Sequence, residues 1–292
     1  MSQHNYKTIF IGIIIAYFFA QTIIAFVAKD IDNIRYFSIF QLVFFVAPIL
    51  FFLKEKQQNT VNIQNDFSLL ETENIKQNFW QTVKNYLKIN LNFKPEIFIY
   101  LLWGFVGLSL LNIGTLTIIE FLIPNSLLEN YNSMMKNAIQ AQIILTTNHS
   151  KTFFEILQIT FFIALIPAIC EEILFRGYLQ QNILEQNSPT FALISTALIF
   201  SIIHFNIGGF LPIFFIGLYL GMLFYTTKSI IPAMFLHFLN NFFIIVSVNF
   251  GDTNSEQKIP FLIGLFLFTV GGILVFFTYS KIKFLSSSTS LK

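Results

Sequence analysis

The sequence predicts an all-α, polytopic membrane protein with about eight transmembrane helices. Charged residues make up 11% of the 292 residues, where a soluble domain usually carries about 25%. Hydrophobic residues make up 55%, and the mean hydropathy is +0.68. This composition excludes a disordered chain and disfavours an ordinary soluble enzyme. The single cysteine excludes a disulfide framework, and the net charge of +2 gives no sign of a nucleic-acid partner.

The apolar residues form stretches long enough to cross a bilayer, which takes about 20 residues for about 30 Å of hydrocarbon. The first stretch is too long for the apolar region of a signal peptide, so we interpret it as a membrane anchor. The fifth is short, and the fourth is long and carries charges. The stretches are Thr8–Ala28, Tyr36–Leu53, Glu96–Ile123, Phe153–Leu184, Thr190–Phe205, Gly208–Thr227, Ser229–Phe250 and Ile259–Tyr279.

Lysine and arginine residues near the span ends predict the orientation. Eight spans place both termini on one side, and that side carries 11 of these residues against 5 on the other. Both termini are therefore expected in the cytoplasm. We divide the chain into N-terminal transmembrane helices with a cytoplasmic polar loop (1–150), a membrane core rich in functional residues (151–250), and a last transmembrane helix with its tail (251–292).

The second half of the polar loop has an amphipathic pattern. Its apolar residues lie on one helical arc, with lysines towards the edge of that arc. This pattern indicates either a helix lying on the cytoplasmic leaflet or a short surface helix with no lipid role. The arc consists of Ile75, Phe79, Val83, Tyr86 and Leu87.

Polar residues cluster inside the apolar part of residues 152–250. A charge at the centre of a spanning helix costs roughly 2.5–3.5 kcal/mol, so such a cluster indicates function, with a buried structural ion pair as the alternative. Glu171 lies 17 residues before the turn at Ser188, and His204 lies 16 residues after it. Two antiparallel helices then carry both side chains to about 20 Å depth. Counted in the same way from the next turn along the chain, His237 and Asn241 lie at depths of about 14 and 20 Å.

Helical spacing separates the two adjacent glutamates. Glu172 and Arg176 are four residues apart, so they share a face and can neutralise each other. Glu171 is rotated by about 100° from Glu172 and can face a different cavity wall. Pro167, just before them, is expected to kink the helix.

Three short motifs carry a family resemblance. They are Glu171-Glu172-Ile-Leu-Phe-Arg176, then Phe200-Ser-Ile-Ile-His204, then His237-Phe-Leu-Asn-Asn241. In this order and inside predicted spans, they resemble the motifs of the CPBP intramembrane proteases. That family comprises the type II CAAX prenyl endopeptidases and the bacteriocin-processing or self-immunity proteins, also called the Abi family. The resemblance covers about a third of the chain.

The resemblance implies an endopeptidase that cleaves a membrane-associated peptide or protein with an activated water. Glu171 resembles the essential glutamate that acts as general base, and His204 is similar to the histidine that works with it on the water. His237 and Asn241 match the pair that stabilises the oxyanion, a role worth about 2.7–4 kcal/mol per donor elsewhere.

The remaining motif residues and the question of a metal follow from the same resemblance. Glu172 and Arg176 complete the first motif, with a supporting and partly structural role. The family is often classed with the metalloendopeptidases, and zinc would be held by Glu171 or Glu172 with His204 and His237. The chain has no His-Glu-x-x-His helix, so we expect a metal-independent, glutamate-based mechanism and keep zinc as the alternative.

Two other functions are open to the same sequence. A non-catalytic immunity or scaffold protein would keep the fold and the motifs, whereas a transporter is disfavoured because the polar residues lie in one half of the chain. For the enzyme, the expected substrates are CAAX proteins or bacteriocin precursors bound at the lipid bilayer. The Asn-, Ile-, Phe- and Lys-rich composition suggests an AT-rich genome, and we expect a bacterial cell membrane.

Overall fold

The computed structural model describes residues 42–47, 49–50, 53–54, 79–123, 152–204, 206, 208–250 and 259–287. Within these ranges the chain forms a short π-helical segment, Leu42–Val46, and seven further helices, with no strand. The helices are α1 (Phe79–Tyr86), α2 (Ile97–Leu122), α3 (Phe153–Leu184), α4 (Pro189–Ile202), α5 (Phe210–Thr227), α6 (Ile231–Phe250) and α7 (Phe261–Ser287).

The all-helical membrane class is confirmed, whereas the count of about eight spans is not. Among the described helices, α2, α3, α5 and α7 are long and apolar enough to cross a membrane. Helix α4 and the part of α6 over Ile231–Ser247 are apolar but shorter. The expected span Thr8–Ala28 and most of Tyr36–Leu53 lie outside the described residues. The division into three parts and the orientation of the termini stay predictions.

The starts of α3 and α4 are defined by N-caps. Thr152 forms a capping box with Glu155: the Thr152 hydroxyl accepts from the Glu155 backbone N–H, and a Glu155 carboxylate oxygen accepts from the Thr152 N–H at 2.9 Å. Ser188 caps α4, and Pro189 follows at its first position. The Glu155 carboxylate is therefore part of the N-cap of α3.

Helix α3 is continuous but contains two π-helical stretches, Thr160–Leu165 and Ile173–Gln180. The first ends just before Pro167, which lacks the N–H that a regular turn would use. This π-helical stretch therefore lies where the sequence predicts a kink. The second stretch begins directly after Glu172, and π-turns inside helices often occur at functional sites.

Helices α2 and α7 make the most extensive contact between described helices. Glycines let the two backbones approach closely, because a Cβ at Gly114 would overlap the backbone of Phe268. The same holds at Gly271, where a Cβ would overlap the backbone of Leu111 and Gly107. Such small-residue contacts are a common basis of helix association in membranes.

Helix α1 docks onto α3. Val83 and Leu87, on the predicted apolar arc, are buried in the same core as Leu174. The Gln181 side-chain amide donates to the backbone carbonyl of Tyr86 at 2.7 Å, and burial raises the pKa of Tyr86 to about 12. The described residues of the apolar arc therefore pack on protein, whereas Ile75 and the Phe79 side chain lie outside the described part of the chain.

The glycine contact between α2 and α7 gives a test of the fold. Gly271→Ala is expected to lower the midpoint of thermal unfolding in detergent, because overpacking a close contact costs about 1–3 kcal/mol. Gly272→Ala is the matched control, since its Cβ would meet only the Leu111 Cδ1 atom, at 3.9 Å. That variant should be unchanged or slightly stabilised by the better helix propensity of alanine. Equal midpoints for the two variants would contradict the packing.

Candidate active site

The structure brings five of the six predicted site residues together at the junction of α3, α4 and α6. Glu171, Glu172 and Arg176 lie in the middle of α3, and His237 lies in the second turn of α6. His204 lies in the connection after α4. The convergence expected from equal membrane depth is thus present in the contacts.

The Glu172 carboxylate is the centre of a buried network. Its Oε1 atom accepts from Arg176 Nη1 at 2.6 Å and from His237 Nδ1 at 2.8 Å. The side chains of Glu172 and Arg176 have no exposed surface. Arg176 also donates from Nη2 to the Gly217 carbonyl at 2.9 Å and lies over the Phe200 ring, 4.7 Å from its centroid. One carboxylate therefore links α3 to α6, and its arginine partner links α3 to α5.

Two side chains of α3 donate to two carbonyls of α5 in parallel. Arg176 reaches Gly217, and Gln180, one turn later, donates from its amide to the Gly221 carbonyl at 3.0 Å. A Cβ at Gly221 would lie 2.9 Å from Gln180 Oε1, and one at Gly217 would lie 3.0 Å from Phe200 Cδ1. The two glycines therefore admit the polar contacts of α3 as well as a close helix crossing.

Sequence reasoning missed Gln180 and the packing role of Phe200. The signal for Gln180 was available, because a buried amide four residues after Arg176 shares its helical face. The Phe200 ring also packs against both site histidines, with centroids 4.7 Å from His204 and 5.7 Å from His237. One aromatic side chain thus contacts three of the polar groups in the cluster.

Glu171 lies close to both site histidines. Its Oε2 atom lies 3.8 Å from Nε2 of His204 and 3.8 Å from Nε2 of His237. The oxygen is buried and has no hydrogen-bond partner among the described residues. The His204 side chain is 31% exposed, against 8% for Glu171 and 4% for His237. The cluster therefore opens to its surroundings on the His204 side.

Hydrogen-bond partners determine which ring nitrogen of each histidine carries a proton. His204 Nδ1 lies 2.6 Å from the Phe200 carbonyl, which can only accept, so this nitrogen is the donor. His237 Nδ1 donates in the same way to Glu172. In the neutral rings, both Nε2 atoms are then acceptors, and they point at a third acceptor, Glu171 Oε2. Three acceptor atoms that face one another favour the binding of a species that carries positive charge or donates hydrogen bonds.

The donor types, but not their spacing, match a zinc site. Zinc with ligands at 2.0–2.1 Å in tetrahedral geometry places ligand atoms about 3.3 Å apart, whereas Glu171 Oε2 is 3.8 Å from each imidazole nitrogen. No group of three His, Cys, Asp or Glu side chains in the described ranges could hold a metal ion. Glu172 is already bound to Arg176 and His237. This arrangement does not fit the zinc ligands expected from the sequence.

His204 and Asn241 differ from the sequence-based expectation in detail. Helix α4 ends at Ile202, so His204 lies in a turn and not within a span reaching Phe205. Further along this connection, the Gly209 N–H donates to the Asn206 side chain at 2.8 Å. Asn241 lies one turn after His237 and is half-buried, and no hydrogen bond among the described residues joins it to the other five.

Comparison with known families agrees with the site. Residues 153–243 match the family described as type II CAAX prenyl endopeptidase, Rce1-like. No curated protein and no solved structure matches the chain. The matched segment runs from the start of α3 into α6 and contains all six predicted site residues. The resemblance to the CPBP intramembrane proteases is confirmed over this segment, and the apolar helices indicate an integral membrane protein.

The buried ion pair predicts different effects for the two adjacent glutamates. Glu172→Gln and Arg176→Gln should each lower the yield of folded protein, because breaking a buried pair commonly costs about 3–5 kcal/mol. Glu171→Gln is the matched control and should stay folded, since its Oε2 has no hydrogen-bond partner among the described residues. The measurement is the folded fraction by size-exclusion chromatography with the thermal midpoint in detergent. Wild-type stability of Glu172→Gln would refute the structural role of the pair.

Proposed function

We propose that this chain, which resembles the CPBP intramembrane proteases over residues 153–243, is an endopeptidase that hydrolyses a peptide bond with a water activated by Glu171. The observation that carries the proposal is the position of Glu171 Oε2, equally spaced at 3.8 Å from the Nε2 atoms of His204 and His237. A carboxylate with a purely structural role would be expected to have hydrogen-bond partners. Glu172 accepts two hydrogen bonds at Oε1 and none at Oε2, whereas Glu171 Oε2, the oxygen between the two histidines, has no partner among the described residues.

A water molecule suits this spacing. Water can donate to two acceptors at about 2.8 Å each, and two acceptors 3.8 Å apart are within its span. In the proposed reaction, Glu171 takes a proton from the water while the water oxygen adds to the peptide carbonyl carbon. His204 helps to orient the water. The C–N bond then breaks, and the leaving amine takes the proton from Glu171.

The developing oxyanion is assigned to His237 and Asn241. The Asn241 amide is a neutral donor, and it follows His237 by one turn on α6. His237 already gives its Nδ1 proton to Glu172, so donation from Nε2 requires a second proton on the ring. The water proton accepted by Glu171, 3.8 Å away, supplies it, and the same proton returns through Glu171 to the leaving amine when the C–N bond breaks. Oxyanion donors aimed at developing charge are worth about 2.7–4 kcal/mol each in other enzymes.

The proposed substrate is a membrane-bound peptide or protein, either of CAAX type or resembling a bacteriocin precursor. Support comes from the family match and from a site placed between apolar helices. The proposed setting is a bacterial cell membrane with both chain termini in the cytoplasm and no nucleic-acid partner. A non-catalytic immunity or scaffold role is the alternative, and it would rely on the Glu172 network without needing Glu171.

Removal of the proposed base should abolish the reaction and keep the fold. Glu171→Gln keeps the size of the side chain, and cleavage is expected to fall by roughly 10²-fold or more. The assay is cleavage of a farnesylated CAAX peptide and of a bacteriocin-leader peptide by purified protein. Glu185→Gln, the same change at an exposed position of the same chain, serves as control. Full activity of Glu171→Gln would overturn the assignment of the base.

The catalytic type is tested by metal removal. Because the spacing around Glu171 Oε2 does not fit zinc, we expect active purified protein to contain less than stoichiometric metal and to keep its activity in phenanthroline. Metal content is measured by mass spectrometry on the sample used for the assay. Near-stoichiometric zinc, with activity lost on chelation and restored by zinc, would contradict the metal-independent mechanism while leaving the endopeptidase proposal intact.

A further inference from the structure

A cavity of about 530 Å³ lies away from the candidate active site. It is formed by the C-terminal ends of α5 and α7 and by the connection between α1 and α2, and it contains none of the six site residues. Lys228 and Lys283 line it together with Tyr225, Tyr279 and Ser286. Among the described residues that line it, none is acidic. The cavity is therefore cationic.

The two lysines have no negative partner within the described ranges. Neither forms a salt bridge there, and Lys228 Nζ lies over the Tyr225 ring, 4.1 Å from its centroid. Burial, and then the nearby charge of Lys88, lowers the pKa of Lys228 from its usual value. The hydroxyl of Ser286 is buried and also lacks a hydrogen-bond partner among the described residues. An anion with several oxygen acceptors would satisfy all three groups.

The walls of the cavity are fixed by hydrogen bonds between separate segments. Asn90 donates from its amide to the Lys228 carbonyl at 3.0 Å, and Ser229 donates from its hydroxyl to the Asn90 carbonyl at 2.6 Å. Thr226 donates to the Tyr279 hydroxyl at 3.0 Å, which joins α5 to α7. Lys228 ends α5 in the left-handed conformation, with φ of 52°. The backbone that carries the cation is thus held in place before any ligand binds.

The position of the cavity points to the head-group layer of the membrane. On α7, Phe284 lies next to Lys283 in sequence and Phe276 lies two turns before it, and both aromatic side chains are exposed. The three segments that meet here are ones that the lysine and arginine count assigns to the cytoplasmic side. Basic cavities between membrane helices on that side commonly bind anionic lipid head groups. We propose that this cavity binds the phosphate of an anionic phospholipid from the cytoplasmic leaflet.

Native mass spectrometry of the full chain, released from detergent with added lipid, tests the proposal. Dioleoylphosphatidylglycerol should be retained in preference to dioleoylphosphatidylcholine. Lys283→Gln should weaken this retention about fivefold, because each basic residue near an anionic surface contributes about that much, and adding Lys228→Asn should abolish the preference. Asparagine suits the left-handed backbone at position 228. Ser286→Ala, which keeps both charges, should also reduce retention.

The matched control is Lys281→Gln, which removes the same charge from the same end of α7. Lys281 lies over the Phe277 ring and does not line the cavity, so its variant should retain lipid like the wild type. Equal losses for Lys281→Gln and Lys283→Gln would overturn the site in favour of general surface charge. Equal retention of the two lipids by the wild type would also overturn it. Complete displacement of phosphatidylglycerol by millimolar inorganic phosphate would assign the cavity to free phosphate and refute the lipid.

Discussion

The buried pair of Glu172 and Arg176 is the interaction on which the arrangement of the other site residues depends. Both side chains are fully buried, and removing an ion pair of this kind from water carries a desolvation cost of several kcal/mol per ion. The network offsets that cost with further contacts. His237 donates to the same carboxylate oxygen, and the Gly217 carbonyl and the Phe200 ring contact the guanidinium. These contacts join α3, α4, α5 and α6.

This constraint gives two adjacent glutamates different chemistry. Glu172 accepts two hydrogen bonds at Oε1 and holds the imidazole of His237 by one nitrogen, so that the other nitrogen faces Glu171. Glu171 is rotated away by about 100° and keeps a buried oxygen without a donor among the described residues. A structural carboxylate and a candidate catalytic carboxylate can therefore follow each other directly in one helix. The π-helical stretch Ile173–Gln180, which follows them directly, carries Arg176 and Gln180 to α5.

Much of the helix content and of the site could be predicted from the sequence. The length of an apolar stretch, and the free-energy cost of a charged residue within it, can both be read from neighbouring residues. The bounds of α2, α3, α5 and α6 agree with the predicted stretches to within about two residues, which is the usual scatter of helix ends. The meeting of Glu171, His204 and His237 followed from counting residues from the turns. The role of Glu172 and Arg176 as a pair followed from their spacing.

Other features depend on tertiary contacts that periodicity does not encode. The docking of α1 onto α3 was not predicted, because an amphipathic arc has the same pattern whether it faces lipid or protein. Helix α4 ends before the connection in which Gly209 donates to the Asn206 side chain, a contact that apolar periodicity does not predict. In the sequence, the glycines of α2 and α7 resemble those of any membrane helix. Their role in the close contact becomes visible only when the two backbones are placed side by side. Gln180 becomes informative only when Gly221 is seen opposite it.

The orientation of His237 by Glu172 can be measured directly by nitrogen-15 NMR of histidine-labelled protein in detergent, with the His237 signals assigned by their loss in His237→Asn. The geometry predicts a proton on Nδ1, shifted by a hydrogen bond to a carboxylate, and a change in that signal in Glu172→Gln if the variant is recovered folded. A neutral His237 with its proton on Nε2 and a bare Nδ1 would contradict the account, because Glu172 could not then hold the ring towards Glu171.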